Sequence, residues 1–295
     1  MKILVVGGAG YIGGHLSDLL LRSGHDITVY DNLMFETRYL KDINFIYGDI
    51  REKEKLLTIM KDFNIVVWLA AIVGDGACAV DPALTRTINE GSIKWLVDNY
   101  EGKIVFTSTC SVYGIHDHLI DEDAEFNPQS VYASTKLAAE KYIIKNCDNY
   151  LIFRLGTLFG LGDDFSRVRL DLVVNILTTR AMKNEPLTVF GGEQWRPILH
   201  VKDVGEALCH CLENEVTGLY NLSYKNIKIY QIAEEIAKVI DKVKIEYAHM
   251  NYEDLRNYRV KTDRIMATGW KPRYNITDGI REVAKLIEEH RIVDT

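Results

Sequence analysis

The sequence predicts an α/β fold: a doubly wound parallel sheet with helices on both faces, joined to a smaller α/β unit. Three observations carry this. Short apolar runs alternate with helical patterns through the first half, a glycine-rich turn joins the first run to the first helix, and the rhythm changes after Gly156. The runs are KILVVGG, DITVYD, INFIYGD, IVVWLAA, KIVFTST and YLIFRLG. Each is short, apolar and bounded by turn residues, as a strand buried on both faces must be. Helices are expected over Tyr11 to Ser23, from Glu52, near Leu84 to Asn99 and from Val131. Such alternation builds parallel strands linked by helical crossovers, and it places ligands at the carboxyl ends of the strands. After Gly156 come a loop (GLGDDFSRVRLD), a helix, and PLTVFGGEQWRPILHVKDV, which reads as strands framing a second ligand surface. The expected division is 1–155 for the first domain and 156–295 for the second, with a segment near 199–228 returning to the first.

Bulk properties narrow the function. The 295 residues are 47% hydrophobic and 26% charged, which suits a folded globular chain and excludes disorder. A net charge of -7 argues against a nucleic-acid partner or an acidic membrane surface, so any anion site must be focal. The chain passes from Met1-Lys2 into a strand without a signal-like apolar region, and no stretch approaches the ~18 apolar residues of a span. A cytoplasmic location without membrane contact is the expectation. The 5 cysteines are scattered without a CxxC pair, so neither a disulfide framework nor a metal site is expected.

The chemistry begins at GGAGYIG. Gly7, Gly10 and Gly13 stand at a strand-to-helix junction, where glycine permits a tight turn and close approach of backbone to a pyrophosphate at the helix N-terminus. Asp31 ends the second run and can accept both hydroxyls of a ribose while repelling a 2'-phosphate, so NAD is expected rather than NADP. Asp49 and Ile50, ending the third run, can hold an adenine edge. Tyr132 and Lys136, four apart in YASTK, share a face of one helix. A free tyrosine has a pKa of about 10, but an adjacent ammonium and an oxidised nicotinamide would stabilise its phenolate. Tyr132 would then take a proton from a sugar hydroxyl, oriented by Thr109 at the end of the fifth run. Taken alone, the pair reads better as an amphipathic helix with a snorkelling lysine; together with the glycine turn and Asp31 that judgement reverses.

Taken in order, GGAGYIG, Asp31, GDI, WLAA, Asn89, TSTCSVYG, YASTK, RLGTLFG, WRPILHVKDV, YNLS and ATGWKP resemble the extended short-chain dehydrogenase/reductase family, in its sugar-nucleotide epimerase/dehydratase branch. The resemblance spans essentially the whole chain. It implies a Rossmann domain that holds NAD tightly through Gly7, Gly10, Tyr11, Ile12, Gly13, Asp31, Asn32, Asp49, Ile50, Leu69, Ala70, Ala71, Asn89, Tyr132 and Lys136. It further implies a Thr109, Tyr132 and Lys136 triad, and a nucleoside diphosphate sugar between the domains. Arg196 and Arg256 fall where family members clamp the diphosphate, a task suited to guanidinium geometry. Cys110, Ser111, Thr157 and Arg169 complete the expected substrate contacts. Members of this kind pair two helices into a dimer, here those near Leu84 to Asn99 and Val131 to Lys145.

The departures bear on the reaction. Dehydratases of the family follow the threonine with Asp-Glu, whereas this chain has Cys110-Ser111. Trp68 stands where the family has histidine, and Thr157 where many members have asparagine. AAIVGDGAC and RVRLDLVVN resemble a less typical subgroup of surface-polysaccharide 4-dehydrogenases and 4-epimerases. For Asp75 and Cys78 a substrate contact and a solvated loop tip stay equally open, and Arg167 and Arg169 either meet a base or phosphate or, nearly as well, form a solvated basic loop. His116 and His118 read as surface residues, and Cys110 as a packed residue rather than a nucleophile. The expected function is carbon-4 oxidation of a nucleoside diphosphate sugar by a 4-epimerase. The alternatives are a 4-dehydrogenase or 4-keto-sugar reductase, then a dehydratase, and lastly an NAD-binding regulatory protein.

Overall fold

In the computed structural model the described residues are 1–35, 39–248 and 256–289. The first half contains β1 (Lys2–Val6), α1 (Gly13–Arg22), β2 (Asp26–Asp31), β3 (Asn44–Tyr47), α2 (Lys53–Met60), β4 (Ile65–Trp68), α3 (Asp75–Val80), α4 (Pro82–Arg86), α5 (Ser92–Asn99), β5 (Lys103–Thr109), β6 (Ile115–Ile120), α6 (Val131–Asn146) and β7 (Tyr150–Leu155). The second half contains β8 (Thr157–Phe159), α7 (Val173–Met182), β9 (Leu187–Phe190), β10 (Trp195–His200), α8 (Val201–Glu213), β11 (Gly218–Leu222), β12 (Lys225–Lys228), α9 (Ile229–Val239), β13 (Ile245–Ala248), β14 (Asn257–Val260), α10 (Asp263–Met266) and α11 (Ile276–Glu288).

Because the main strands are apolar at nearly every position, they must be covered on both faces, and they are. Seven parallel strands order as β11-β7-β5-β4-β1-β2-β3. One face buries Val5, Leu16, Leu20, Val29, Leu208 and Leu212 under α1 and α8. The other buries Leu4, Val66, Phe106, Leu56, Leu96 and Ile143 under α2, α5 and α6. Strand order reverses between β1 and β4, and at such a point the crossovers diverge and open a crevice beyond the strand ends. The order thus dictates where a ligand goes.

The second unit has a three-stranded sheet, β12-β10-β8, with its own core of Phe159, Val174, Leu177, Ile198, Ile232 and Ile280. Two small parallel pairs, β13 with β9 and β14 with β6, complete the strands. The chain does not split cleanly at 155/156. Strand β11 pairs with β7 and α8 packs on α1, whereas β10 and β12 of the same segment belong to the smaller sheet. The expected helix near Leu84 to Asn99 is broken into α4, a π-helical turn over Thr87–Gly91, and α5. The expected start at Tyr11 moves to Gly13, because Gly7 to Ile12 are taken up by the turn. Among the described residues no helix is long and apolar enough to cross a membrane.

Candidate active site

The crevice beyond β1 and β4 is a cavity of about 340 Å³. Its floor is the turn after β1. Gly7 takes φ +80°, and a Cβ there would lie 2.7 Å from the Ala70 Cα, so this glycine is required by the protein's own backbone. Gly10 is different: the nearest atom to a Cβ would be the Gly7 carbonyl oxygen at 3.5 Å, so its bareness leaves room in the cavity. Gly10, Tyr11 and Ile12 line the space. Gly13 does not; it lies against Gly8, letting α1 approach the strand.

Acids mark one end. Asp31 accepts from the Ala9 N–H at 3.0 Å and the Leu33 N–H at 2.8 Å, which ties it to the glycine turn. Burial pushes its pKa up while those backbone donors pull it down. Asp49 is held by Arg51 through two bonds of 2.8 Å and by the Asn32 amide at 2.9 Å, and the Arg51 hydrogen bonds keep it well below the usual carboxylate range. With Asn32 and Ile50 these acids line the cavity.

The segment after β4 supplies Leu69, Ala70 and Ala71 to the wall. Trp68 is fully buried and its indole N–H donates to the Ala70 carbonyl at 3.1 Å, so it braces this stretch from behind. Asn89 lies behind this stretch. It sits in the π-helical turn, buried away from the cavity, and grips Ile72 through both its N–H and its carbonyl at 2.9 Å. Its placement is that of a residue that positions the wall, and a π turn at such a spot is a recurrent functional device.

The far end is built by β5 and α6. Ser130 caps α6 by accepting from the Ala133 N–H at 3.1 Å, which sets the helix so that Tyr132 and Lys136 both face the cavity beside Thr109. Lys136 is buried, donates to the Thr107 carbonyl at 2.8 Å, and stands 4.5 Å from the centre of the Phe106 ring. Burial brings its pKa down to about 7. Tyr132 moves the other way: burial raises it, Cys78 and Asp75 reinforce the rise, and Arg169 opposes it. The lowered phenol expected from an adjacent ammonium and an oxidised nicotinamide together is not a property of the protein alone, because burial raises Tyr132 and lowers the pKa of Lys136. Thr109 accepts from the Ser111 N–H at 3.1 Å, and the Ser111 hydroxyl lies 3.3 Å from that of Tyr258.

Cys110 does not line the cavity. The chain turns sharply after Thr109, so Cys110 points into the core, fully buried, with its thiol donating to the Arg154 carbonyl at 3.2 Å and raised by burial. Arg196 does not line the cavity either. It lies behind the wall, bonded to the carbonyls of Trp195 and Arg256, where it props the backbone of Arg256. Arg256 itself lines the cavity and pairs with Asp75 at 2.8 Å; Thr157, Ser111 and Arg169 line it too, Arg169 held by Asp171 at 2.7 Å. Cys78 is buried with its thiol on the Ile72 carbonyl at 3.3 Å, so it is no loop tip. His116 and His118 pack edge to face on β6, outside the cavity. The sequence reading passed over Ser108, whose buried hydroxyl faces the cavity with no partner among the described residues, and Met34, Phe35 and Tyr258, which also line it.

The sequence model of the NAD dependent epimerase/dehydratase family matches residues 3–223. The chain belongs to this family. Its NAD dependence fits the residues: an open glycine turn, a carboxylate tied to that turn by a backbone N–H and an unpartnered serine hydroxyl all suit a dinucleotide. The chain is similar to a UDP-glucose 4-epimerase of Lactobacillus helveticus, 28% identical over 98% of this chain and 98% of that protein. One from Bacillus subtilis is 30% identical over 75% of this chain and 77% of its own. Among solved structures, the Thermus thermophilus UDP-glucose 4-epimerase in complex with NAD superposes with TM-score 0.83 at 27% identity, covering 98% of this chain and 99% of that one.

Proposed function

We propose that this protein is a sugar-nucleotide 4-epimerase acting on a uridine diphosphate hexose. The observation that carries the reading is the meeting of Thr109, Tyr132 and Lys136 at one end of a dinucleotide cavity whose other wall presents Arg169 and Arg256. Bound NAD would supply the hydride acceptor and donor for carbon 4. Thr109 orients the carbon-4 hydroxyl, and Tyr132 takes its proton and gives it back. A phenol raised by burial needs positive charge nearby to act as a base, and the nicotinamide ring and a protonated Lys136 supply it together. Arg256 leaves Asp75 to meet the substrate diphosphate, with Arg196 holding its backbone still.

A dehydratase is disfavoured because Cys110, at the position of the first eliminating carboxylate, is buried away from the cavity. A 4-dehydrogenase or reductase shares the first half-reaction and differs in product. Purified protein incubated with UDP-, GDP-, dTDP- and CDP-sugars, with products read by mass and chromatography, tests the proposal. An isomer of a UDP-hexose supports it; loss of two hydrogens or of water would replace it with the alternatives. No conversion of any sugar, with NAD bound, would favour a regulatory protein. A cytoplasmic location goes with this reading, all five cysteines being free thiols. A homodimer through α5 and α6 also goes with it. Those helices lie side by side, with the Tyr142 hydroxyl donating to Asp98 at 2.7 Å, and α6 leaves Ile144 exposed beside Lys141 and Lys145. A monomeric mass at micromolar concentration would remove the dimer.

A further inference from the structure

The loop 161–172 crosses from the smaller unit back over the start of α1. Its ends are pinned: the Tyr11 hydroxyl donates to the Gly160 carbonyl at 2.7 Å, and the Asn175 amide donates to the carbonyls of Gly160 and Arg169 at 3.0 and 2.9 Å. Its middle is latched by Lys41, which lies between β2 and β3. The Lys41 ammonium, 5% exposed, reaches Asp163 at 2.6 Å, Asp18 at 2.7 Å and the Gly14 carbonyl at 2.6 Å. Gly14 makes room for this: a Cβ there would fall 2.6 Å from an Asp163 carboxylate oxygen. Beyond the latch, the Arg167 guanidinium lies 4.7 Å from the centre of the Phe35 ring, and both residues line the cavity at the end marked by Asp31 and Asn32.

We propose that this loop is a clasp over the adenosine half of bound NAD, latched by Lys41 and Asp163 and closed by Arg167 against Phe35. The proposal rests on the family's NAD dependence and adds a role for residues outside the catalytic group. An enzyme that uses its dinucleotide afresh in each turnover, without exchange, benefits from retaining it. The clasp provides retention by joining a segment that follows the ribose-binding acid to a loop from the other unit. A buried ammonium shared by two carboxylates does not part from one of them readily, because the charge left behind is poorly solvated. The Arg167 contact is half-exposed and weaker.

The test is the rate at which NADH leaves the protein, followed by loss of its fluorescence after mixing the loaded protein with excess NAD. Arg167→Ala should speed release roughly fivefold, the equivalent of about 1 kcal/mol for a cation over an aromatic ring. Asp163→Asn should speed it tenfold or more; should that variant not fold, Arg167→Ala alone decides, since its side chain supports no core. Release within twofold of wild type from folded variants would overturn the clasp. Wild-type protein that binds neither NAD nor NADH would overturn the cofactor reading, and the clasp with it.

Discussion

Replacing Lys136 with methionine should make the cofactor-free protein more stable while nearly abolishing activity. Lys136 is buried, and its pKa falls from 10.5 to about 7. The unfolded chain therefore binds a proton more tightly than the native one across that window, so native stability is reduced below pH 7 and recovers as pH rises towards 10.5. A depression of this size corresponds to roughly 4 kcal/mol near neutrality at 1.36 kcal/mol per pH unit. Methionine fills a similar volume but leaves the Thr107 carbonyl without its donor, a loss of about 1–3 kcal/mol. The net gain expected for Lys136→Met is therefore about 1–3 kcal/mol at pH 6–7, several degrees in Tm, shrinking towards pH 9.5. Thermal melts of protein freed of NAD, at pH 6, 8 and 9.5, measure it. A lower Tm for the variant at pH 6, or an advantage that grows with pH, would refute the reasoning. Turnover should fall together with NAD affinity, which is the compromise expected where a charge is kept buried for function.

Two further outcomes follow from the same geometry. Tyr132→Phe removes one oxygen from the half-buried ring, and should leave melting and NAD binding near wild type while lowering turnover on the order of a hundredfold or more; steady-state kinetics beside a cofactor titration checks this. Wild-type protein should prefer NAD to NADP by roughly a hundredfold. A second negative charge about 4 Å from Asp31 costs up to about 4 kcal/mol before screening, and Asp31→Asn should narrow the preference in paired titrations.

Much of the main sheet was legible because its signals are local. Apolar runs such as IVVW and KIVF can be buried only between two layers of helix, and glycines before a helix followed by a strand-ending acid place the crevice. The Tyr132 and Lys136 pair was legible for the same reason, since helical spacing alone puts both on one face. Residues whose direction depends on an irregular turn were not. Cys110 is turned inward by a single tight turn after Thr109, and Asn89 is drawn behind the wall by a π-helical turn that no spacing rule anticipates. The place of Arg196 at the diphosphate comes from the family resemblance alone, and sequence gives no sign of the bonds it makes to the carbonyls of Trp195 and Arg256, which are brought near by packing. The clasp was invisible, because Lys41 and Asp163 are far apart in sequence and each alone is an ordinary charged residue.

The central claim is that hydride leaves carbon 4 and returns to it within one site, with Tyr132 moving only the proton. The most direct test is to convert a UDP-hexose carrying deuterium at carbon 4 and to locate the label in the product by NMR and mass. The account predicts the epimer with deuterium retained at carbon 4 and no hydrogen taken there from water. Loss of the label to solvent, or solvent hydrogen at carbon 4 or carbon 5, would contradict it.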